Sequence, residues 1–313
     1  MPILFVHIPK TAGSSLNASA TAIFGEDHVE LDYGADEPHT TSNVQHYIYG
    51  DATVDQYGFK SAIEQKSTAW VAGHFSAERY LHILGARKTI SFVRDPVDRV
   101  ISEFRHLRRT GKIDDDLPAF YKQDDQTNKQ FRMIGRHPWQ AFHLVGSMER
   151  YDVCVAFLTK TLGLPLETLH INRKPSNDDT PIDQALREDI RQWNQRDCIF
   201  VTAVNQYLDK QMAAHQIGHA FCHHDQGFKE DQHVIGWAFY ADNPEPVKIG
   251  LFVDGQLKEQ TIASEHREPL QLVGAPRMGH CGYRFVLERY GAAEQIEVRA
   301  LKTNQTLFEW QRS

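Results

Sequence analysis

The chain has 313 residues, 41% of them hydrophobic, which is enough for two packed domains with sizeable cores. Its formal net charge of −7 sets it apart from general nucleic-acid binders, which carry a basic face. Cys154, Cys198, Cys222 and Cys281 lie far apart, the first two in apolar stretches, the pattern of reduced core residues rather than of a disulfide framework. Met1 is followed at once by a core strand, with no secretion signal and no membrane span, so a soluble cytoplasmic protein is expected.

The first predicted unit is FVHIPKTAGSSL at 5–16. An apolar run (Phe5, Val6, Ile8) breaks at Pro9 into a Lys-Thr-Ala-Gly-Ser-Ser loop, and Leu16, Asn17, Ala18, Ser19 and Ala20 follow at helical spacing. A strand, a loop and a helix start in this order aim backbone N–H groups and the positive end of a helix dipole at an anion. Lys10 adds a full charge, and Ser14 and Ser15 add hydroxyl donors. The rival motif is the nucleotide-triphosphate loop GxxxxGK[ST], whose lysine follows the last glycine. Here Lys10 precedes Gly13, and no leading glycine is present.

WVAGHFSAERY at 70–80 reads as a second strand, Trp70–Ala72, with Gly73-His74 where it ends. His74 is thereby placed at the strand-end crevice in which open α/β sheets bind ligands. In SFVRDPVDRVISEF at 91–104, Ile90–Val93 reads as a buried strand, Arg94-Asp95-Pro96 as the turn, and Val97, Val100, Ile101 and Phe104 as the apolar stripe of a helix. Arg94 would emerge at the carboxyl end of that strand, with Ser102 eight residues on. A salt bridge from Arg94 to Asp95 or Asp98 is the competing structural reading. The basic run Arg105, His106, Arg108 and Arg109 reads as a solvated helix end, with an acceptor groove as its alternative.

Farther along, 143–165 introduces a long helix with Tyr151, Val155, Leu158 and Leu162 on one face. A polar loop, HINRKPSND at 170–178, follows, and 181–212 reads as one or two helices with Pro181 in a first turn. His215, His219 and His223 are spaced four apart and would share one helical face with Cys222 adjacent, a metal-ligand spacing in principle. The preferred reading is the end of the last helix and a linker. From about Phe228 the periodicity becomes that of short strands, with Asp254-Gly255 a two-residue hairpin signal and Trp237 and Trp310 assigned to the core.

The two loops together resemble the 5′-phosphosulfate loop and the 3′-phosphate motif of sulfotransferases that use 3′-phosphoadenosine 5′-phosphosulfate (PAPS). The resemblance is to the carbohydrate branch, which includes heparan sulfate 2-O- and 6-O-sulfotransferases and bacterial relatives. It implies that Lys10, Thr11, Ala12, Gly13, Ser14 and Ser15 hold the 5′ side of the donor, that Arg94 and Ser102 hold its 3′ phosphate, and that His74 is the catalytic base. Arg173 and Ser176 would belong to a loop that closes over the donor, or to a solvated loop. It further implies in-line sulfuryl transfer to a glycan or other hydroxyl acceptor, with Lys10 neutralising the leaving group and no metal required.

The expected fold is α/β: a P-loop-like, three-layer, parallel-sheet domain over 1–215, a linker over 216–230, and a small all-β sandwich over 231–313 that is similar to modules on bacterial glycan-modifying enzymes. Two other readings stay open. A nucleotide-dependent kinase would turn over ATP with magnesium, and a glycan-binding protein on a catalytically idle scaffold would sulfate nothing.

Overall fold

The computed structural model describes residues 1–50, 53–167, 181–229, 233–241 and 243–312. Arg173 and Ser176 lie outside the described residues. The chain divides into two compact units, one built from 1–84, 88–139 and 144–208, the other from 85–87, 140–143 and 209–313.

The first unit is built on a five-stranded, all-parallel sheet. Its strands are β1 (Ile3–Val6), β2 (Val29–Asp32), β3 (Trp70–Gly73), β4 (Thr89–Val93) and β5 (Leu144–Ser147), in the order β2-β3-β1-β4-β5. Nearly every strand residue is buried, which is why β1, β3 and β4 read as largely apolar runs rather than as alternation, whereas β2 carries buried Glu30 and Asp32. The helices are α1 (Gly13–Phe24), α2 (Ser42–Ile48), α3 (Gln56–Gln65), α4 (Glu78–Leu84), α5 (Pro96–Arg109), α6 (Leu117–Tyr121), α7 (Tyr151–Leu162), α8 (Gln184–Trp193) and α9 (Gln195–Gln216), the unit boundary falling within α9.

The chain runs outward from β1 to β2, then turns back through β3 and crosses to β4 and β5 on the other side. Right-handed crossovers therefore put α1 on one face of the sheet and α3 and α4 on the other, giving three layers. The connections leaving β1 and β4 depart in opposite directions, which opens a crevice above the carboxyl ends of those two neighbouring strands.

The start of α5 follows from its sequence. Pro96 occupies the first turn, where its missing N–H costs nothing, and the Asp95 carboxylate caps the helix by accepting from the Asp98 N–H at 2.9 Å. The helix expected at 181 begins later, at Gln184, because Asp183 rather than Pro181 supplies the cap.

The second unit holds two antiparallel four-stranded sheets with a shared core. Its strands are β6 (Cys222–Lys229), β7 (His233–Tyr240), β8 (Lys248–Val253), β9 (Gln256–Ile262), β10 (Glu265–His266), β11 (His280–Val286), β12 (Gln295–Ala300) and β13 (Gln305–Gln311), with α10 (Glu268–Leu272) between β10 and β11. The sheet orders are β10-β11-β7-β6 and β13-β12-β8-β9. Val234, Ala238, Tyr240, Tyr283 and Phe285 from one sheet share a buried cluster with Ile249, Leu251, Ile296, Val298 and Phe308 from the other. That is a sandwich. Asp254 and Gly255 both take positive φ (48° and 76°), closing the β8–β9 hairpin where the dipeptide signalled it.

The stretch 216–230, expected as a linker, contains β6, which pairs with β7 from Cys222↔Tyr240 to Lys229↔His233. The helical spacing of the histidines fails for the same reason. The helix α9 stops at Gln216, Gly218 turns at φ 71°, and His223 lies on β6, so His215, His219 and His223 do not share a helical face. Among the described residues no group of three or more metal-ligating side chains is assembled. All four cysteines are free, and no described helix is long and apolar enough to cross a membrane.

Close packing at the end of β3 demands glycine. A β-carbon on Gly73 would fall on the backbone carbonyl of Asp32. Gly73→Ala should lower unfolding stability by about 2–4 kcal/mol, read by urea or thermal denaturation, because the obstacle is backbone and cannot rotate aside.

Candidate active site

The loop after β1 has an unusual backbone. Lys10 and Ala12 both sit at φ 69°, in the left-handed region that side-chain-bearing residues rarely occupy. The turn is held by the buried Thr11 hydroxyl, which donates to the Ile8 carbonyl at 2.8 Å. The Thr11 side chain is thus committed to shaping the loop. Ala12, at the N-cap of α1, has no side chain able to cap, so the first-turn N–H groups and the helix dipole are left for an anion. Ser14 is exposed and Ser15 buried. Gly13 is required for packing: a β-carbon there would fall inside the ring of His7.

Arg94 follows directly on β4, and its Nη1 donates to the Lys10 carbonyl at 3.3 Å. The two loops therefore meet. Among the described residues neither Arg94 nor Lys10 forms an ion pair, and the expected alternative of a bridge from Arg94 to Asp95 or Asp98 is not formed. Burial lowers the Arg94 pKa, with Asp98, Glu149 and Asp95 opposing at longer range. Burial likewise lowers that of Lys10, and the neighbouring positive charges of Arg109 and Arg94 push the same way. Ser102 is half-buried on α5.

The backbone of Arg94 is clamped on both sides by one amide. Gln130, fully buried, accepts from the Arg94 N–H through Oε1 at 2.9 Å and donates to the Arg94 carbonyl through Nε2 at 2.9 Å. Buried Asp197 on α9 holds this segment in turn, accepting from the Gln130 N–H at 3.2 Å and the Phe131 N–H at 2.7 Å. Below it, fully buried Arg99 pairs with Glu103, which also takes Lys129 at 2.8 Å.

His74 follows β3, and its N–H donates to the Asp32 carbonyl at 2.9 Å. The buried Asp32 carboxylate is held by Tyr49 Oη at 2.7 Å, Arg79 Nη1 at 2.8 Å and Tyr80 Oη at 2.8 Å. The His74 ring stands 4.6 Å from the ring of His7 and 4.8 Å from that of Tyr33, edge to face with both. Burial against these rings pushes its pKa down to about 4, Glu103 opposing and Lys129 and Lys10 adding to the fall. An exposed face on the ring favours a value nearer the ordinary one, but desolvation by the packed rings sets the direction. His74 is neutral at pH 7, as a general base must be.

His7 is a second imidazole here, one that the sequence did not announce. It is buried, stacked on Phe5 at 5.5 Å, and its Nδ1 has no hydrogen-bond partner. Burial, His74 and Lys10 together hold its pKa well below the ordinary value. A cleft of about 520 Å³ lies beside the same turn, between Asp95, Glu149, Arg150, Arg191, Cys198 and Asn205. Its walls include none of Lys10, His74 and Arg94.

Lys10, His74 and Arg94 are therefore gathered by the ends of β1, β3 and β4. The Sulfotransferase family model matches residues 1–157, which spans all three and every strand of the parallel sheet. The chain belongs to the Sulfotransferase family. A sulfotransferase from Alicyclobacillus acidocaldarius is 17% identical, with 65% of this chain and 95% of that chain covered and a TM-score of 0.36. No curated protein matches. Family membership makes sulfuryl transfer the reaction class of the first unit; the second unit lies outside the matched residues.

The buried state of this sulfotransferase's His7 has a measurable sign. Unfolded, it titrates near 6.5; folded, it titrates lower, so below about pH 6.5 the unfolded chain binds the extra proton and stability falls as pH falls. His7→Phe keeps the stack on Phe5 without the titration. The slope of unfolding free energy against pH between about 6 and 5 should shrink by roughly 1 kcal/mol per pH unit in urea titrations. An unchanged slope would show that His7 titrates as in the unfolded chain.

Proposed function

We propose that the first unit transfers the sulfuryl group of PAPS to a hydroxyl of a carbohydrate acceptor. The observation that carries this reading is the contact between Arg94 and the Lys10 carbonyl, which brings two cations without carboxylate partners to the uncapped start of α1. Such a pair suits a ligand bearing separate anionic groups, as PAPS does at the 5′ and 3′ positions of its ribose. The loop 10–15 takes the 5′ side, with Thr11 and Ala12 acting through their backbone, Gly13 through its lack of a side chain, and Ser14 and Ser15 available as hydroxyl donors. Arg94 and Ser102 take the 3′ phosphate.

His74 removes the proton of the acceptor hydroxyl as its oxygen bonds to sulfur. The bond between sulfur and the bridging oxygen breaks, and its electron pair stays on the 5′ phosphate of adenosine 3′,5′-bisphosphate. Lys10 and the first-turn N–H groups of α1 meet the charge that grows on that oxygen. This route uses no metal among the protein's own groups. Arg173 and Ser176 remain candidates for a loop over the donor. We read the protein as a cytoplasmic, bacterial enzyme, with carbohydrate or partner binding by the second unit as its accessory role.

Calorimetric titration with adenosine 3′,5′-bisphosphate, beside ATP with magnesium, tests the donor. Binding of the bisphosphate, weakened at least about tenfold by Arg94→Ala, is expected. Tight ATP binding without bisphosphate binding would replace this reading by a kinase. His74→Ala should retain bisphosphate binding while transfer falls about 10²- to 10⁴-fold, the usual worth of a positioned base. The bound phosphates should also raise the His74 pKa from about 4, because nearby negative charge favours imidazolium. NMR titration of its ring protons with and without bisphosphate reads that shift, and no upward movement would place the ligand away from His74.

A further inference from the structure

A chain of hydrogen bonds leading to the crevice fixes the direction of one proton. Trp70, at the start of β3, has a single polar group, an N–H, which donates to Asn17 Oδ1 at 2.9 Å. That contact settles which end of the Asn17 amide is which. Its nitrogen must face the other way, and there it donates to the Tyr33 hydroxyl oxygen at 2.8 Å. A phenol has one proton to give. With its oxygen already accepting from Asn17, the Tyr33 O–H is directed elsewhere, and among the described residues no acceptor meets it. Burial raises the Tyr33 pKa, so the proton is present at neutral pH.

The position of this donor is as specific as its direction. Asn17 lies on α1 four residues beyond Gly13, which ties the Tyr33 hydroxyl to the start of the helix behind the loop. The Tyr33 ring meets the His74 ring at 4.8 Å and 89° and the His7 ring at 6.3 Å and 83°. Tyr33 therefore bridges α1, the helix that the loop opens, and the proposed base. In an in-line displacement the sulfur lies between the loop and the base, with the leaving oxygen on the loop side and the attacking oxygen on the His74 side.

We infer that Tyr33 is a further catalytic residue, whose hydroxyl donates a hydrogen bond to an oxygen of the sulfuryl group and holds it in line between Lys10 and His74. This rests on the PAPS reading above, and the test separates the two. Adenosine 3′,5′-bisphosphate lacks the sulfuryl group and PAPS carries it, so their affinities measured by calorimetry isolate the contact without any acceptor. Tyr33→Phe keeps the ring against both histidines. It should weaken PAPS roughly tenfold while leaving the bisphosphate within about twofold.

Asn17→Asp gives a second, independent handle. Both carboxylate oxygens accept, one from Trp70 and one from Tyr33, which turns the Tyr33 proton inward. The added negative charge weakens both ligands, but the ratio of their affinities should shift toward the bisphosphate as in Tyr33→Phe, with no further shift in the double variant. A misfolded site would instead weaken both ligands equally and lower the melting temperature. An unchanged affinity ratio in Tyr33→Phe overturns this inference alone. Failure of the unaltered protein to bind either ligand overturns the PAPS reading and this inference with it.

Discussion

The placement of β1 between β3 and β4 is the constraint on which the crevice depends. Val6 lies opposite Gly73 on one side and Ser91 on the other. From that level the chain continues upward on β4 through Phe92 and Val93 to Arg94, and beyond β1 to Lys10, so guanidinium and loop carbonyl arrive at the same height. On the other flank β3 ends level with Val6, and His74 leaves the sheet beside His7, whose own N–H remains bonded to Gly73 at 3.0 Å. A slip of one residue in either ladder would turn these side chains to the opposite face of the sheet.

The polar groups around the crevice fall into two kinds. Arg99, Glu103 and Lys129 form a closed ionic cluster, Asp32 is satisfied by Tyr49, Arg79 and Tyr80, and Asp197 by backbone N–H groups. Removing one member of such a set strands a buried charge, at a cost of about 3–5 kcal/mol for an ion pair. Lys10 and Arg94 differ, being cations whose pKa values are lowered chiefly by burial, with no ion-pair partner among the described residues. Their desolvation is a standing cost in the free protein, and a bound anion would offset it. The protein's net charge of −7 thus conceals a locally positive recess.

Much of this was legible in the sequence because it is local. The apolar runs at 3–6, 70–72 and 89–93 are strands since both faces of the parallel sheet are covered, and Asp95-Pro96 announces α5 through capping chemistry. What was not legible depends on chain segments far apart. Gln130 lies in a stretch with no motif, yet it clamps Arg94 because Asp197 holds it from α9. Tyr33 acquires its direction from Asn17 and Trp70, and His7 its burial from Phe5 and the neighbouring loop. The strand β6 was missed because a run of histidines at fourfold spacing mimics a helical face, whereas pairing with β7 decides its conformation.

The same neighbours that fix the proposed base, His74, also limit it. An imidazole with a pKa near 4 is ready to accept a proton but is a weak acceptor, whereas proton transfer is most effective when the base's pKa lies near the working pH. Burial is the main cause of that fall, Glu103 opposes it, and Lys129 and then Lys10 add to it, Lys10 being the group an anionic donor would approach first in the proposed reading. In the proposed reading, negative charge on the loop raises the His74 pKa by offsetting the smaller, cationic part of that fall. Base strength and donor binding are thus coupled in that reading, while burial sets the larger part of the base's weakness.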